Sequence, residues 1–211
     1  MRNMQLCILG VGLAAVAVVS PAARAADDDF DTHFKFYGGP AYVASMGDSN
    51  VTFGTVEDTI ENESQVGWNL GFEGRFNDWV GIELDYVHAN QDVSFGGSTI
   101  GDTTFSPLTA TLNVHVVHTK IFDLYLGPSY SYVNWGEIHL NANGGTITGS
   151  SEIGTDSAHD WGASLGFDFG IGKHFALGAG VKYLNVDLTM DNGQTADVKP
   201  LMARLTAAFR F

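Results

Sequence analysis

The chain has 211 residues, with 10 Lys and Arg against 24 Asp and Glu, a net charge of −14, and a single Cys. A surplus of this sign repels phosphate and excludes a nucleic-acid-binding role. With 26 glycines, 12 % aromatic residues, five prolines and no long apolar segment after residue 25, the composition points to β structure rather than a helical membrane bundle.

Residues 1–25 read as a signal peptide: Arg2, an apolar stretch from Leu6 to Val19, Ser20-Pro21, and the small-residue run Ala22-Ala23-Arg24-Ala25. A charged start, a short apolar core and an A-x-A site predict cleavage after Ala25. The stretch is too short and too rich in Gly and Ala for a membrane anchor. Cys7, the only cysteine, lies inside it, so residues 26–211, read as one domain, must hold together without disulfides. That domain keeps eight basic residues against twenty-four acidic ones, a net charge of −16.

From Phe34 onward the chain alternates with period 2, the pattern of strands with one apolar and one polar face. Phe34, Phe36, Pro40 and Tyr42 oppose Lys35, Tyr37, Ala41 and Val43. Val66, Trp68, Leu70, Phe72, Gly74 and Phe76 oppose Gln65, Gly67, Asn69, Gly71, Glu73 and Arg75, and after Asn77-Asp78 the partner sets Val80, Ile82, Leu84 and Tyr86 against Gly81, Glu83 and Asp85. Further segments carry Leu108 to Val116, Phe122 to Tyr132, Trp161 to Phe169, Phe175 to Tyr183 and Leu201 to Phe211 on their apolar faces. The count is eight, and an even count is what bacterial outer-membrane barrels use. The fold class is therefore all-β, an eight-stranded antiparallel transmembrane β-barrel.

A soluble β-sandwich also alternates. Two features oppose it. No Asp, Glu, Lys or Arg falls on any apolar face, whereas Glu73, Glu83, Asp85, Asp168, Lys182 and Arg204 share the other face; lipid demands the first outside and a lumen receives the second. Aromatics also gather toward strand ends, with Phe76, Phe122, Phe169, Phe175 and Phe211 at one and Tyr42, Trp68, Tyr86, Tyr132, Trp161 and Tyr183 at the other, as two interfacial girdles.

Short turns near 77–79, 118–121 and 170–174 and long connections near 46–63, 89–104, 134–158 and 190–198 orient the barrel, since short turns face the periplasm. Both termini are expected there, in a multi-pass protein of the outer membrane of a Gram-negative cell. The long connections, read as solvated loops, hold twelve acidic residues and no Lys or Arg. The outer end is anionic.

From Phe105 on, the chain resembles the OmpW family of small outer-membrane barrels, related to the OmpA-transmembrane and OmpX types. The matching residues are Ser106-Pro107-Leu108-Thr109, Tyr125-Leu126-Gly127-Pro128-Ser129-Tyr130, Asp160-Trp161-Gly162-Ala163, Val181-Lys182-Tyr183-Leu184-Asn185-Val186-Asp187 and Ala207-Ala208-Phe209-Arg210-Phe211. The first strand, Phe34 to Tyr42, departs from the family pattern in lacking the basic residue and the proline ending associated with it. The resemblance implies a narrow, porin-like barrel whose lumen admits small hydrophobic molecules and releases them sideways into the bilayer. Phe211 also resembles the terminal aromatic read by the barrel-assembly machinery. The expected partners are that machinery, outer-membrane lipid and lipopolysaccharide, and small hydrophobic solutes.

An eight-stranded barrel is just wide enough for side chains to fill. Inward positions include many small residues, among them Gly67, Gly71, Gly81, Gly127, Gly162, Gly166, Gly178 and Gly180, which are expected to leave space. Two readings compete for it. Glu73, Arg75, Glu83, Asp85, Asp168, Lys182, Arg204 and Arg210 form an ion network that plugs the whole lumen, giving a structural or adhesive barrel; or the network plugs the lower part only, and Tyr37, Val43, Val87, Tyr125, Val133 and Leu184 line an upper apolar pocket. The family resemblance favours the pocket.

No enzyme, cofactor or metal is expected. His115 and His118, three apart on a strand, should face opposite ways and so cannot grip a metal together. Ser157 and His159, beside Asp156 and Asp160, do not by themselves make a triad. Gly96-Gly97 and Gly144-Gly145 have no following helix to cradle a phosphate, and no twelve-residue calcium loop is visible.

Overall fold

The computed structural model describes residues 34–44, 49–53, 56–62, 64–95, 98–136, 138–140, 152–153, 157–189, 195–197 and 199–211. The proposed signal peptide and the Gly96-Gly97 and Gly144-Gly145 turns lie outside the described residues.

Eight long strands build the wall: β1 Phe34–Ala44, β2 Gln65–Asn77, β3 Val80–Phe95, β4 Ser98–His118, β5 Phe122–Trp135, β6 Ala158–Ile171, β7 Phe175–Leu184 and β8 Leu201–Arg210. Each pairs antiparallel with its chain neighbours, and β1 pairs with β8 through Lys35↔Arg210 and Tyr42↔Ala203, so the sheet closes. Closure leaves no edge of unpaired backbone groups, which lipid could not satisfy. No helix occurs among the described residues.

Burial is inverted relative to a soluble protein. Val66, Phe76, Trp161 and Leu205 are 71, 70, 64 and 62 % exposed, whereas Glu73 and Glu83 are at 0 %. Water could not be the solvent of such an outer face, and the sandwich is excluded. Outward aromatics meet across strands at both ends: Trp68 and Tyr86 at 5.6 Å and Tyr130 and Trp161 at 5.1 Å toward the long connections, Phe175 and Phe209 at 5.4 Å toward the short turns. Between the girdles the outer wall of β1 and β5 to β8 carries an apolar depression of about 550 Å³, bordered by Pro40, Tyr42, Leu165, Phe167 and Leu205.

The short turns have local chemistry to match. Asn77 Oδ1 accepts from the backbone N–H of Trp79 and Val80, both at 2.9 Å, an Asx turn. Gly172 adopts φ 73° between β6 and β7, where a side chain would be strained.

The other connections differ from the expected loops. Within 89–104, β3 and β4 run on as one hairpin paired to Phe95↔Ser98. Ser49–Phe53 pairs with Val56–Asn62, which docks on β3 through Ile60↔Phe95. Ile138–Leu140 pairs with β4 and with Glu152–Ile153, and Asp187–Thr189 with Thr195–Asp197. Threonine- and valine-rich alternation in these segments supports ladders as it does in the wall; their low apolar content made them read as loops.

Candidate functional site

The inward faces change in character from the short turns to the long connections, charged side chains prevailing near the first and apolar ones gathering toward the second, with Arg204 on β8 set beyond Ala208 and Thr206. β5 presents Asp123, Tyr125, Gly127, Ser129, Ser131, Val133 and Trp135 in that order; β3 presents Glu83, Asp85, Val87 and Ala89; β8 presents Arg210, Ala208, Thr206, Arg204 and Met202. The lumen thus has a charged tier, a neutral polar tier and an apolar tier.

All eight residues expected in the ion network are buried in the charged tier. Lys182 Nζ lies 3.1 Å from both Glu83 Oε1 and Asp85 Oδ2; Arg204 reaches Glu83 at 2.9 Å and Asp85 at 3.0 Å; Arg210 lies 3.7 Å from Asp168 and Arg75 3.8 Å from Glu73. Three further members complete it. Lys35 spans Glu73 at 2.6 Å and Asp168 at 2.8 Å, Asp123 pairs with Arg75, and His115 places Nε2 2.7 Å from Glu73 and Nδ1 2.9 Å from Asp123. Five buried acids meet five buried bases besides His115, so no carboxylate is left uncompensated in the confined interior.

Lys35 and Asp123 were readable from the sequence, since both sit on the polar phase of their strands. His115 was passed over because the ideal period placed it opposite His118. The structure corrects that: the β4–β5 register shifts between His115 and Val117, a β-bulge that turns His118 to the same side. Its Nδ1 lies 3.1 Å from Arg75 and 3.6 Å from Asp123.

Tyr37 and Tyr125, assigned to the upper pocket, belong to the charged tier instead. The Tyr37 hydroxyl accepts from Arg204 Nη1 at 2.8 Å and donates to Asp85 at 3.1 Å, while Lys35 Nζ sits 4.6 Å over the Tyr125 ring. Both rings lie flat on glycines. A Cβ on Gly71 would meet Tyr37 at 2.1 Å and one on Gly166 would meet Tyr125 at 2.6 Å. The expectation that inward glycines leave space is therefore overturned. Some seat aromatic rings, Gly178 seats Asp168, and Gly67, Gly127 and Gly162 lie where a Cβ would strike a neighbouring carbonyl within 2.2 Å.

Val43, Val87, Val133 and Leu184 occupy the apolar tier, each at most 2 % exposed, with Phe105 and Trp135 whose rings stand 4.9 Å apart. Ser157 and His159 lie at the exposed outer end of β6, where the His159 ring faces Tyr130 at 6.1 Å. The depression on the outer wall backs onto Gly166, Gly180 and Arg204, level with the charged tier.

A closed barrel with lipid-facing apolar residues, paired girdles and charges folded inward defines an outer-membrane β-barrel protein. The chain belongs to the outer membrane protein beta-barrel domain family, whose model matches residues 11–211. It is 26 % identical over 197 residues to outer membrane protein W of Vibrio cholerae serotype O1, covering 89 % of this chain and 88 % of that one, so the resemblance carried by the second half extends over most of the length. Among solved structures its fold is similar to Neisserial surface protein A, with TM-score 0.59 and 13 % identity over 84 % of this chain and 97 % of that one. It is also similar to AlkL in lipid bilayers, with TM-score 0.53 and 14 % identity over 85 % and 90 %, and to Ail of Yersinia pestis in complex with a heparin analogue, with TM-score 0.52 and 18 % identity over 85 % and 99 %.

Proposed function

We propose that this barrel is a non-enzymatic, porin-like conduit that eases small hydrophobic molecules across the outer membrane, with both termini in the periplasm. The observation that carries the reading is the apolar tier of Val43, Val87, Val133 and Leu184 standing above a charge network. An apolar solute gains by leaving water for that tier and loses by entering the charged one, so its cheapest onward route is sideways into hydrocarbon. The physical need is real: a lipopolysaccharide leaflet is charged and tightly packed and slows solutes that cross an ordinary bilayer. Phe211, at the end of β8 and hydrogen-bonded to Phe34 at 3.0 Å, is the contact proposed for the assembly machinery.

The alternative is a structural or adhesive barrel with a plugged lumen. The filled glycine seats and the network favour it in the lower lumen. Binding of a heparin-like polyanion, as in the Ail complex, is not carried over, because twelve acidic residues at the outer end repel such a ligand.

The test is uptake of a hydrophobic fluorescent probe by cells with and without the protein, beside Val87→Lys and Leu184→Lys variants. Faster uptake with the parent, lost in both variants, supports the conduit. Equal uptake in all four strains leaves the structural reading.

A further inference from the structure

Eight basic residues lie in 26–211, and five of them, Lys35, Arg75, Lys182, Arg204 and Arg210, are buried in the lumen. Lys199 precedes β8 at the end of the long connections. The remaining two, Lys120 and Lys173, are exposed and stand on short turns, Lys120 ahead of β5 and Lys173 between β6 and β7. The third short turn carries an exposed acid, Asp78, instead. Among the described residues, the short-turn rim is therefore cationic over β5 to β7 and not over β2 and β3.

The two turns are neighbours. Gly170, near the end of β6, donates its N–H to the Ile121 carbonyl at 2.7 Å, and a Cβ on it would lie 2.8 Å from the Lys120 carbonyl oxygen. Each turn is held in place. Thr119 Oγ1 accepts from the Phe122 N–H at 2.9 Å, while His174 on the second turn stacks on Phe209 at 5.7 Å and places Nδ1 3.1 Å from the Arg210 carbonyl oxygen. Beside the lysines the surface turns apolar: Ile121, Phe169, Ile171 and Phe175 are 58, 52, 54 and 60 % exposed. Two ammonium groups at the margin of a lipid-facing apolar stripe match a molecule that carries an anionic head and a hydrocarbon tail.

We propose that Lys120 and Lys173 form a head-group site for an anionic phospholipid of the periplasmic leaflet, such as a phosphatidylglycerol, its phosphate between the two ammonium groups and one acyl chain along Phe169 and Phe175. The net negative charge of the chain does not oppose it. The acidic connections lie at the other end of the barrel, about 30 Å of hydrocarbon away, which is about three screening lengths at roughly 0.1 M salt. A nearby competitor is the chain's own acidic stretch Asp27-Asp28-Asp29-Phe30-Asp31, which leads toward β1 at the same end and lies outside the described residues. It has the charge but one apolar residue only, too little to cover the stripe, whereas a phospholipid satisfies both. The leaflet, though not the site, rests on the reading of the short turns as periplasmic.

The test uses residues 26–211 in phosphatidylcholine vesicles and two single-tryptophan proteins. One has Trp68, Trp79, Trp135 and Trp161 replaced by Phe and carries Phe175→Trp beside the site; the other keeps Trp79, next to Asp78, as the control from the far side of the barrel. Brominated phosphatidylglycerol should half-quench the first at a mole fraction about fivefold lower than brominated phosphatidylcholine, the ratio for the attraction of one lysine. It should show no such preference at Trp79. Lys120→Gln with Lys173→Gln should bring the two lipids to parity and Lys120→Arg with Lys173→Arg should keep them apart, with either single Gln change standing in where gel mobility shows the pair unfolded. Parity with both lysines present, a preference that survives the Gln changes, or an equal preference at Trp79 overturns the site. A preference that emerges only when residues 26–31 are removed also overturns it and assigns the lysines to the acidic stretch. Vesicle leaflets are alike, so these results do not depend on orientation; labelling of intact cells at Gly172 rather than at Gly145 overturns the leaflet and leaves the site standing.

Discussion

Arg204 on β8 grips Glu83 on β3 with one nitrogen, Nη2, at 3.0 Å from Oε1 and 2.9 Å from Oε2. The two strands are not neighbours, since β1 and β2 lie between them, so the contact is a strut across the lumen. Glu83→Ala removes one end and leaves Arg204 and Lys182 short of a partner in a dry interior. That should cost about 3–5 kcal/mol. Glu83→Leu combined with Arg204→Leu should cost less than the two single changes together, because no lone charge remains and the Lys182–Asp85 pair survives. Urea unfolding in detergent measures all four variants, with Glu73→Ala as a second site. Single variants as stable as the parent would show that the network does not hold the barrel.

Gly71 and Gly166 should resist substitution for a different reason. Neither adopts a positive φ, and what each needs is room for a ring. Gly71→Ala drives its methyl into the Tyr37 ring, whose hydroxyl is tied to both Arg204 and Asp85, so the ring cannot swing away freely. A loss of about 1–3 kcal/mol is expected, with Gly166→Ala following through Tyr125. Gly74→Ala is the control, since its nearest neighbour would be a Phe34 ring carbon at 3.5 Å; it should unfold like the parent.

Orientation is tested by labelling intact cells. Cysteines introduced singly at Asn50, Gly97, Gly145 and Asn192 should react with an impermeant maleimide, while those at Asn77 and Gly172 should not. Residues 26–211 contain no cysteine, which gives a clean background over the barrel. The reverse pattern would invert the barrel and put the anionic end in the periplasm.

The wall was legible in the sequence because lipid enforces the period-2 rule across its membrane-facing stretches. The strands from Phe34 to Arg210 follow their expected phase apart from the shift between His115 and Val117, and the interior charges follow from that phase. The connections were less legible, because a hairpin above the membrane has no lipid face and its strands lose the apolar stripe that marks them. Phase also fails at a bulge. Nothing near Val116 announces the extra residue that turns His118 inward. Contents of the lumen were the hardest to read, because a glycine says only that something is close and not whether it is a void, a ring or a backbone. Tyr37 and Tyr125 were misplaced for that reason: their rings were read as apolar lining, while their partners, Gly71 on the next strand and Gly166 on the adjacent β6, were read as empty.

The seam between β1 and β8 bears on the order of assembly. Phe34 and Phe211 exchange backbone hydrogen bonds at 3.0 Å in both directions, yet the whole of the remaining barrel separates them along the chain. Hairpins such as β2–β3 and β6–β7 need only a short loop to form, whereas this pairing carries the largest loop-closure entropy in the molecule. It is therefore the step that waits for all the others. Until it is made, both outer strands expose a full row of amide groups that water can hydrate and hydrocarbon cannot. Insertion and closure must then proceed together, and a nascent sheet with an open seam is a species that needs an escort.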